Sequence, residues 1–388
     1  MHSIRVNRKA AGRLASGHPW IFSSDVTVRD EAEPGDAVVV VDPSGRALGT
    51  AHYSASSQIT LRMLSDRVEP VEREFFLRRI AAGDAYRKRI VSGSDAFRLI
   101  FAEADQLPGL IVDRYGGYLV IQTLTQGMDR AKGEIVSCLE ELFAPSGILE
   151  RNDASVRRRE ELPLISGVLR GEVPESVEVR MNGLAFGADL LRGQKTGIYL
   201  DQRENYVAAS RYAHGRALDC FTSTGGFALH MAGRCESVLA VDSSAASLQA
   251  AEKNRDRNGI TNVQFEEGDV FDVLAREAGA HHRYSTVVLD PPAFARSRAS
   301  VEGAARGYKE INRRALELLA PGGVLVTCSC SHHVSEAMLL EIVAEAALDA
   351  GKKLRVIERR TQAADHPILL TVPETLYLKC LILEVMGS

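Results

Sequence analysis

Apolar and amphipathic segments alternate along residues 216–388 of the chain. Short runs rich in valine and leucine, as in buried strands, are separated by segments of about ten residues or more whose apolar positions recur at helical spacing. The predicted strands are Ala217–Cys220, Val238–Val241, Val263–Glu266, Thr286–Leu289, Val324–Cys328, Leu354–Ile357 and Leu376–Leu383. The predicted helices are Phe227–Gly233, Ser244–Asn258, Val270–Glu277, Tyr308–Leu319 and Ser335–Ala350. This alternation indicates an α/β domain with a doubly wound parallel sheet.

The hydrophobic pattern of the first 178 residues is different. The β-branched run Ala37–Val41, a D-P-S-G turn and the segment Ala47–Tyr53 together predict a hairpin, and Gln58–Met63 alternates like a half-buried strand. After Glu69-Pro70 the pattern predicts an amphipathic helix over residues 71–91, followed by short strands and a second helix. Ile148–Arg151 and Ser176–Arg180 are predicted to be edge strands on either side of a polar stretch. We therefore predict a β-rich domain over 1–68, an α+β domain over 69–178 and the α/β domain over 179–388.

Composition places the chain among ordinary globular proteins, with 45% hydrophobic and 25% charged residues in 388. No apolar run approaches the roughly 20 residues of a membrane helix, and the polar, basic start is unlike a signal peptide. The six cysteines form no C-x-x-C pair, which argues against a disulfide framework or a zinc site. We expect a reduced, cytoplasmic setting without a membrane.

The net charge of −4 argues against indiscriminate binding of nucleic acid. Basic residues are nevertheless clustered in two places, and the clusters are Arg73, Arg78, Arg79, Arg87, Lys88 and Arg89, and then Arg157, Arg158 and Arg159. Such clusters are either solvated helix faces or contacts to phosphate groups. The second interpretation predicts an RNA surface whose affinity falls as salt rises.

Polar residues stand where the strands of the α/β domain end. Asp219 ends the first strand, the turn that follows contains Gly225-Gly226, and Asp242 ends the second strand. Paired glycines let the main chain approach a ligand, and an acid after the second strand suits a ribose diol. The spacing differs from G-x-G-x-x-G, so an adenosine-type cofactor other than NAD is favoured. The alternative is that the glycines serve only helix packing.

Two further acids follow the same rule. Asp269 precedes Val270 after the third strand, where a carboxylate and a main-chain N–H suit an adenine edge. Asp290 ends the strand T-V-V-L-D, and two prolines stiffen the loop behind it. Carboxyl ends of parallel strands meet at one edge of a sheet, so these acids are expected to converge there.

Two cysteines lie at the end of the strand that follows Pro321-Gly322-Gly323. Cys328 falls within the strand and is predicted to be buried, whereas Cys330 lies closer to the loop and is the more reactive candidate. The segment 193–205, G-Q-K-T-G-I-Y-L-D-Q-R-E-N, is rich in functional side chains for a loop. Within it, Asp201 is either the N-cap of a helix beginning at Gln202 or part of a site.

Several motifs resemble known families. G-H-P-W-I-F (17–22) and the segment P-G-D-A-V-V-V-V-D-P-S-G-R-A-L-G-T-A-H-Y-S (34–54) are similar to the PUA domain, a pseudo-barrel with which RNA-modifying proteins hold structured RNA. The order D-x-F-x-x-x-G-G, Asp242, G-D-V and D-P-P resembles class I S-adenosylmethionine-dependent methyltransferases, whose Rossmann-like sheet has a reversed final strand. With K-T-G-I-Y-L-D-Q-R-E-N, G-Y-K-E-I-N, S-C-S and P-E-T-L-Y-L-K, the chain resembles the PUA-containing methyltransferases that form 5-methylcytosine in bacterial large-subunit (23S) ribosomal RNA.

This resemblance implies specific residues and partners. Cys330 matches the nucleophile position and Asp290 is its electrostatic partner. The implied S-adenosyl-L-methionine ligands are Thr196, Tyr199, Gln202, Asp219, Phe221, Thr224, Gly225, Gly226, Phe227, Asp242, Asp269, Val270 and Asp290. Ribosomal RNA is the implied partner, and relatives suggest a homodimer.

A thiol suits this chemistry, because addition of a thiolate to C6 makes the C5 atom of cytosine nucleophilic. The sequence departs from the Nop2/Sun type, which has a second cysteine where this chain has Ala293. Phe294 lies one place later than the aromatic residue of D-P-P-[YFW] amino-methyltransferases. Two alternatives remain at this point: N-methylation of a purine exocyclic amine, and a non-catalytic RNA-binding factor in ribosome assembly.

Overall fold

The computed structural model describes residues 1–193, 196–294 and 301–387. Within these ranges the chain divides into two units. The first comprises Met1–Arg180, Ala188–Ile198 and Ala364–Thr375, and the second comprises Met181–Gly187, Tyr199–Ala363 and Leu376–Ser388. The three-domain boundaries remain a prediction.

The first unit begins with a six-stranded sheet and one short helix. Its elements are β1 (Ser3–Val6), α1 (Arg8–Ala15), β2 (Trp20–Phe22), β3 (Val26–Arg29), β4 (Ala37–Val41), β5 (Ala47–Tyr53) and β6 (Ile59–Ser65). The strand order is β2-β6-β5-β4-β1-β3, and β4 pairs with β5 antiparallel as the hairpin pattern predicts. The alternate residues Val38 and Val40 are fully buried against Ile21 and Leu61, so the period-two pattern forms the core of this β-rich region.

A five-stranded sheet flanked by helices follows. Its elements are α2 (Arg73–Ile90), β7 (Ala96–Phe101), β8 (Leu110–Tyr115), β9 (Tyr118–Thr123), α3 (Gln126–Arg130), α4 (Lys132–Phe143), β10 (Gly147–Asn152) and β11 (Ile165–Gly171). Because β10 pairs with both β9 and β11, the predicted edge position of Ile148–Arg151 is wrong. The edge strand on this side of the sheet is β11, in which half-buried and exposed residues alternate and none is fully buried.

Two arginines of the basic clusters are structural. Arg87 is fully buried, pairs with Asp105 at 2.5 Å and donates from Nε to the carbonyl of Arg98 at 2.9 Å. Arg157 is also fully buried and pairs with Asp129 at 2.9 Å. A buried guanidinium cannot contact phosphate, so the interpretation of the whole clusters as an RNA surface is wrong for these two residues. Charge spacing along the chain does not reveal which side chains face inward.

The second unit contains the large sheet. After β12 (Val177–Met181) and β13 (Leu184–Ala188), its elements are α5 (Arg203–Tyr212), β14 (Gly215–Cys220), α6 (Gly226–Ala232), β15 (Cys235–Asp242), α7 (Ala245–Arg257), β16 (Val263–Glu267), α8 (Val270–Gly279), β17 (Tyr284–Leu289), α9 (Val301–Leu318), β18 (Leu319–Ser329), α10 (Glu336–Asp349), β19 (Leu354–Arg360) and β20 (Lys379–Val385). The predicted alternation of strands and helices is confirmed.

The seven strands of this sheet lie in the order β16-β15-β14-β17-β18-β20-β19. The pairs between β14, β15, β16, β17 and β18 are parallel, whereas β20 runs antiparallel to both β18 and β19. The predicted Rossmann-like sheet with a reversed final strand is therefore confirmed. Helices α9 and α10 bury apolar residues such as Ile311, Leu316 and Val343 against it. In the described residues, no helix has both the length and the apolar character needed to span a bilayer.

Candidate active site

The turn after β14 is built around the carboxylate of Asp219. Its Oδ2 atom accepts hydrogen bonds from the Thr222 hydroxyl at 2.6 Å and from the Ala228 N–H at 3.0 Å. One carboxylate thus ties the turn to the first turn of α6. Its Oδ1 atom is buried and has no hydrogen-bond partner among the residues that the structure describes.

Burial strongly affects the ionisation of this carboxylate. Desolvation raises the pKa of Asp219 to about 7, against the lowering effect of its two hydrogen bonds. The negative charges of Asp290 and Asp242 raise the pKa further. Three acids from the ends of neighbouring strands therefore interact, as the sequence predicts.

The backbone of this turn adopts unusual dihedral angles. Phe221 and Ser223 have φ values of 64° and 50°, and Gly225 has a φ of 89°. Left-handed non-glycine residues are uncommon and cluster at functional sites. Gly226 is explained differently, because a Cβ atom there would lie 2.3 Å from the ring of Tyr206. A glycine is therefore needed at position 226 to make room for an aromatic ring, which agrees with the alternative that the glycines serve packing.

Asp242 and Asp269 occupy the ends of β15 and β16 in different ways. The half-buried Asp242 accepts from the main-chain N–H groups of Ser223 and Ser244, at 2.9 Å each. These bonds fix both oxygens and leave each with an acceptor site for a ligand hydroxyl. Asp269 is exposed and caps α8, accepting from the N–H of Phe271 at 2.8 Å. Sequence reasoning missed this helix cap, in which the Oδ1 atom of Asp269 is used by the hydrogen bond from the Phe271 N–H.

Asp290 is held by a chain of amides. Gln202 donates from Nε2 to Asp290 Oδ1 at 2.9 Å, and its Oε1 accepts from Asn205 Nδ2 at 2.7 Å. The predicted N-cap role of Asp201 is wrong, because a short 3₁₀ turn over Leu200–Gln202 precedes α5 and Asp201 accepts from the Tyr377 hydroxyl at 2.8 Å instead. Asp201 thus connects α5 with the segment that leads into β20.

The phenol of Tyr199 marks the point where these groups converge. Burial raises its pKa, and the negative charges of Asp290, Asp201, Cys330 and Asp242 raise it further. The ends of β15, β17 and β18 therefore all lie within electrostatic range of one ring. This half-buried tyrosine is a wall of the predicted site.

The S-C-S segment at the end of β18 is held from one side. Ser329 donates from its hydroxyl to the Tyr308 hydroxyl at 3.0 Å, and the Tyr308 and Ser331 hydroxyls are also 3.0 Å apart. Cys328, inside the strand, has no exposed surface, and burial raises its pKa well above the usual value. Cys330 lies one residue beyond β18 and is half-buried. The predicted contrast in burial between the two thiols is confirmed.

A buried lysine beside this segment was missed by sequence reasoning. Lys379 begins β20 opposite Ser329, is only 4% exposed, and donates from Nζ to the carbonyl oxygens of Ser331 at 2.7 Å and Tyr377 at 2.9 Å. Burial lowers its pKa to about 8, and the nearby Cys330 charge opposes that shift. The only available signal was a lysine placed at the start of the apolar run L-K-C-L-I-L.

Other predicted ligands have structural contacts. The rings of Phe227 and Tyr206 pack nearly at right angles with their centroids 4.8 Å apart, the carbonyl of Thr224 accepts from Asn254, and Val270 is buried in the core. Thr196 belongs to the first unit, where its hydroxyl donates to Asp113 at 2.6 Å. The cofactor roles of these residues remain predictions, and Gln194 and Lys195 lie outside the described residues.

These residues fit an adenosine-type cofactor with a charged amino-acid end. The orphaned, buried oxygen of Asp219 needs a donor, and an ammonium group supplies one. The fixed carboxylate of Asp242 suits a ribose diol, and the left-handed turn at Gly225 exposes main chain between them. The fit is to S-adenosylmethionine rather than to a dinucleotide, because the glycine spacing and the reversed β20 both differ from dinucleotide-binding sheets.

Fold and site together define the class of S-adenosylmethionine-dependent methyltransferases. Residues 139–383 match the family model described as S-adenosylmethionine-dependent methyltransferase, and residues 4–66 match the model of a PUA-like domain. The fold is also that of an S-adenosylmethionine-dependent methyltransferase from Streptococcus mutans, with a TM-score of 0.84 at 21% identity over 99% of this chain and 100% of the other.

Curated relatives narrow the class. The chain is 41% identical over 383 residues to ribosomal RNA large subunit methyltransferase I of Tolumonas auensis, covering 96% of each chain. It is 42% identical over 394 residues to the protein of that name from Shewanella amazonensis, covering 99% of this chain and 100% of the other. The chain therefore belongs to the ribosomal RNA large subunit methyltransferase I family, and its cofactor is S-adenosylmethionine.

Proposed function

We propose that this protein methylates C5 of a cytosine in large-subunit (23S) ribosomal RNA through a covalent adduct with Cys330. The observation that supports it most directly is the position of Cys330, which is half-buried just beyond β18. Its charge raises the pKa of Tyr199, as do the charges of Asp290 and Asp242, so all three groups lie near that phenol. The large-subunit RNA substrate follows from the names of the relatives and from the PUA-like match.

The proposed reaction begins at the sulfur of Cys330. The thiolate forms a bond to C6, and the electrons of the C5–C6 double bond become available at C5 while N3 gains a proton. S-adenosylmethionine supplies an electrophilic methyl group, which is transferred to C5. N3 then returns its proton, a base takes the C5 proton, and the S–C6 bond breaks with its electrons returning to sulfur, so that the ring becomes aromatic again.

Asp290 is proposed to act at N3. In its protonated form the carboxyl donates to N3 as charge develops in the ring. Gln202 holds the Oδ1 atom at 2.9 Å, and Asn205 holds Gln202, so the carboxyl is oriented before the substrate arrives. The proximity of the buried Asp219 disfavours full ionisation of all the acids at once.

The PUA-like region and the exposed members of the basic clusters are proposed to bind RNA. Arg158 and Arg159 are exposed, whereas the preceding residue, Arg157, is buried. Their contacts to phosphate release counterions, so affinity for RNA should fall steeply as salt rises. A homodimer and a cytoplasmic setting also remain predictions, and sedimentation of the full chain measures the first.

The deciding experiment is nucleoside mass spectrometry of ribosomal RNA from cells that lack the gene, complemented with wild type, Cys330→Ala or Cys235→Ala. Wild type should restore 5-methylcytosine, and Cys330→Ala should not. Cys235, at the opposite end of β15 from Asp242, is the matched control and should restore it fully.

Two outcomes would overturn the proposal. Restoration of a methylated purine amine in place of 5-methylcytosine would identify an N-methyltransferase, which needs no thiol. Absence of any methyl mark, together with no cofactor binding by calorimetry, would indicate an RNA-binding assembly factor.

A further inference from the structure

Lys379 is a buried cation whose contacts are neutral. Its ammonium group donates to two carbonyl oxygens, those of Ser331 and Tyr377. Among the described residues, no carboxylate lies within ion-pair distance of it. An ammonium group has three N–H donors, and the described contacts use two of them.

This arrangement is costly unless an anion completes it. A buried charge loses its hydration and is stable only when it is paired or strongly hydrogen-bonded. Carbonyl dipoles compensate part of that loss, but the remaining charge favours an anion in the immediate surroundings. The negative charge of an ionised Cys330 would raise the pKa of Lys379, so the two groups lie within electrostatic range of each other.

The geometry of the S-C-S segment keeps that sulfur in place. Lys379 binds the carbonyl of Ser331, the residue after Cys330, and pairs in the sheet with Ser329, the residue before it. Tyr308 binds the side chains of both serines, at 3.0 Å each. Both neighbours of the cysteine are therefore anchored, one of them directly by the lysine.

We propose that Lys379 is a positioning residue that holds Cys330 as the thiolate and fixes the loop that carries it. The inference rests on the proposed function, in which that thiolate attacks C6. Ionisation releases the thiol proton to solvent while the ammonium group keeps its own proton, so the sulfur gains a negative charge within electrostatic range of an existing positive one. On formation of the S–C6 bond the sulfur loses its charge, and the ammonium remains bound to the two carbonyls.

The test measures the thiolate without using methylation. Full-length protein is treated with iodoacetamide from pH 5 to 10, and alkylation of Cys330 is followed by mass spectrometry of its peptide, with fragmentation to separate it from Cys328. Lys379→Met should slow alkylation of Cys330 at pH 7 by about tenfold or more, because an adjacent opposite charge shifts such an ionisation by one unit or more. Lys379→Arg, which keeps the charge, should restore part of the rate.

The matched control is Lys352→Met. Lys352 lies in the same unit and also donates to a main-chain carbonyl, that of Leu319 at 3.1 Å. Its loss should leave the alkylation profile of Cys330 unchanged. If Lys379→Met fails to fold, the reverse measurement replaces it: Cys330→Ser in otherwise native protein should lower the pH at which the Lys379 amine titrates by NMR.

An alkylation profile identical in wild type and Lys379→Met, or a Lys379 titration indifferent to Cys330→Ser, would overturn the inference. Failure of the proposed function has a different signature. In that case 5-methylcytosine is absent from RNA even with wild-type protein, while the effect of Lys379 on Cys330 alkylation is still seen.

Discussion

Two buried cations, Arg87 in the first unit and Lys379 in the second, show how differently a protein can use one kind of group. Arg87 has a carboxylate partner, Asp105, and donates to the carbonyls of Arg98 and Asp365. Lys379 has only the carbonyls of Ser331 and Tyr377 among the described contacts. The first cation has a carboxylate partner within the structure, whereas the second has none among the described residues and lies within electrostatic range of Cys330, the proposed nucleophile.

The difference between these two cations indicates which buried charges are candidates for a functional role. A cation with a complete set of partners stabilises the fold and is not available for a ligand. A cation whose burial is incompletely compensated is retained at the expense of stability, and such groups concentrate at active sites. The four predictions that follow test whether this contrast holds.

The largest expected effect on stability comes from replacing Arg87, the cation that has a carboxylate partner. Arg87→Met should lower the free energy of unfolding by about 3–5 kcal/mol, because the Asp105 carboxylate, only 8% exposed, then loses its cationic partner. Urea denaturation measures it. Lys88→Met, which removes an exposed lysine of the same helix, is the control and should change little. Equal stability of the two variants would show that Arg87 does not stabilise the fold as proposed.

The pH dependence of stability should reveal Lys379, the cation with no carboxylate partner among the described residues. Lys379 has a pKa of about 8 when folded and 10.5 as a reference, so between these values the unfolded chain binds more protons than the native one. Stability of wild type relative to Lys379→Met should therefore rise with pH across this window, by about 3 kcal/mol in total. Urea denaturation of both proteins at pH 7.5, 9 and 10.5 measures the difference. A difference that is flat or falls with pH would contradict the assignment.

At pH 7 the same substitution should have a smaller effect. Lys379→Met removes an uncompensated charge but leaves two carbonyls without their donor, so the gain and the loss offset each other. We expect the free energy of unfolding to stay within about 1 kcal/mol of wild type, measured by urea denaturation. A loss of the size expected for Arg87→Met would mean that Lys379 is an ordinary structural cation.

The smallest effect on stability should come from the exposed arginines. The double variant Arg158→Ala, Arg159→Ala should change the free energy of unfolding by less than about 0.5 kcal/mol. It should weaken RNA binding at every sequence and reduce the slope of log affinity against log salt by about 2, one for each lost phosphate contact. Filter binding at several salt concentrations measures the slope. An unchanged slope would remove these arginines from the proposed RNA surface.

Sequence periodicity predicts most of this fold for a physical reason. The central strands of the second unit bury consecutive residues and its helices bury one face, and Val238–Val241 and Ser244–Asn258 coincide with β15 and α7 to within three residues at each end. The acids at strand ends are also predictable, because parallel strands present their carboxyl ends on one edge. The half-exposed β11 escapes the same reasoning, since neither of its faces is uniformly apolar.

The details of the site depend on pairing between distant segments. Lys379 is buried because β20 inserts beside β18 and sets it opposite Ser329, a register that nothing near residue 379 encodes. Asp201 meets Tyr377 for the same reason, although its local sequence suggests a helix cap. Local patterns therefore predict which residues reach the edge of the sheet, but not which of them become neighbours.

The placement of β20 between β18 and β19 has a consequence for the order of folding. β20 comes later in the chain than β18 and β19, the two strands it separates, so a chain that has not yet placed β20 has a gap next to the edge of the sheet. Until that gap closes, two strand edges lie open to wrong partners, and the cysteine lacks the positive charge proposed to activate it. Under the proposal, completion of the sheet and activation of the cysteine would therefore occur in the same folding step.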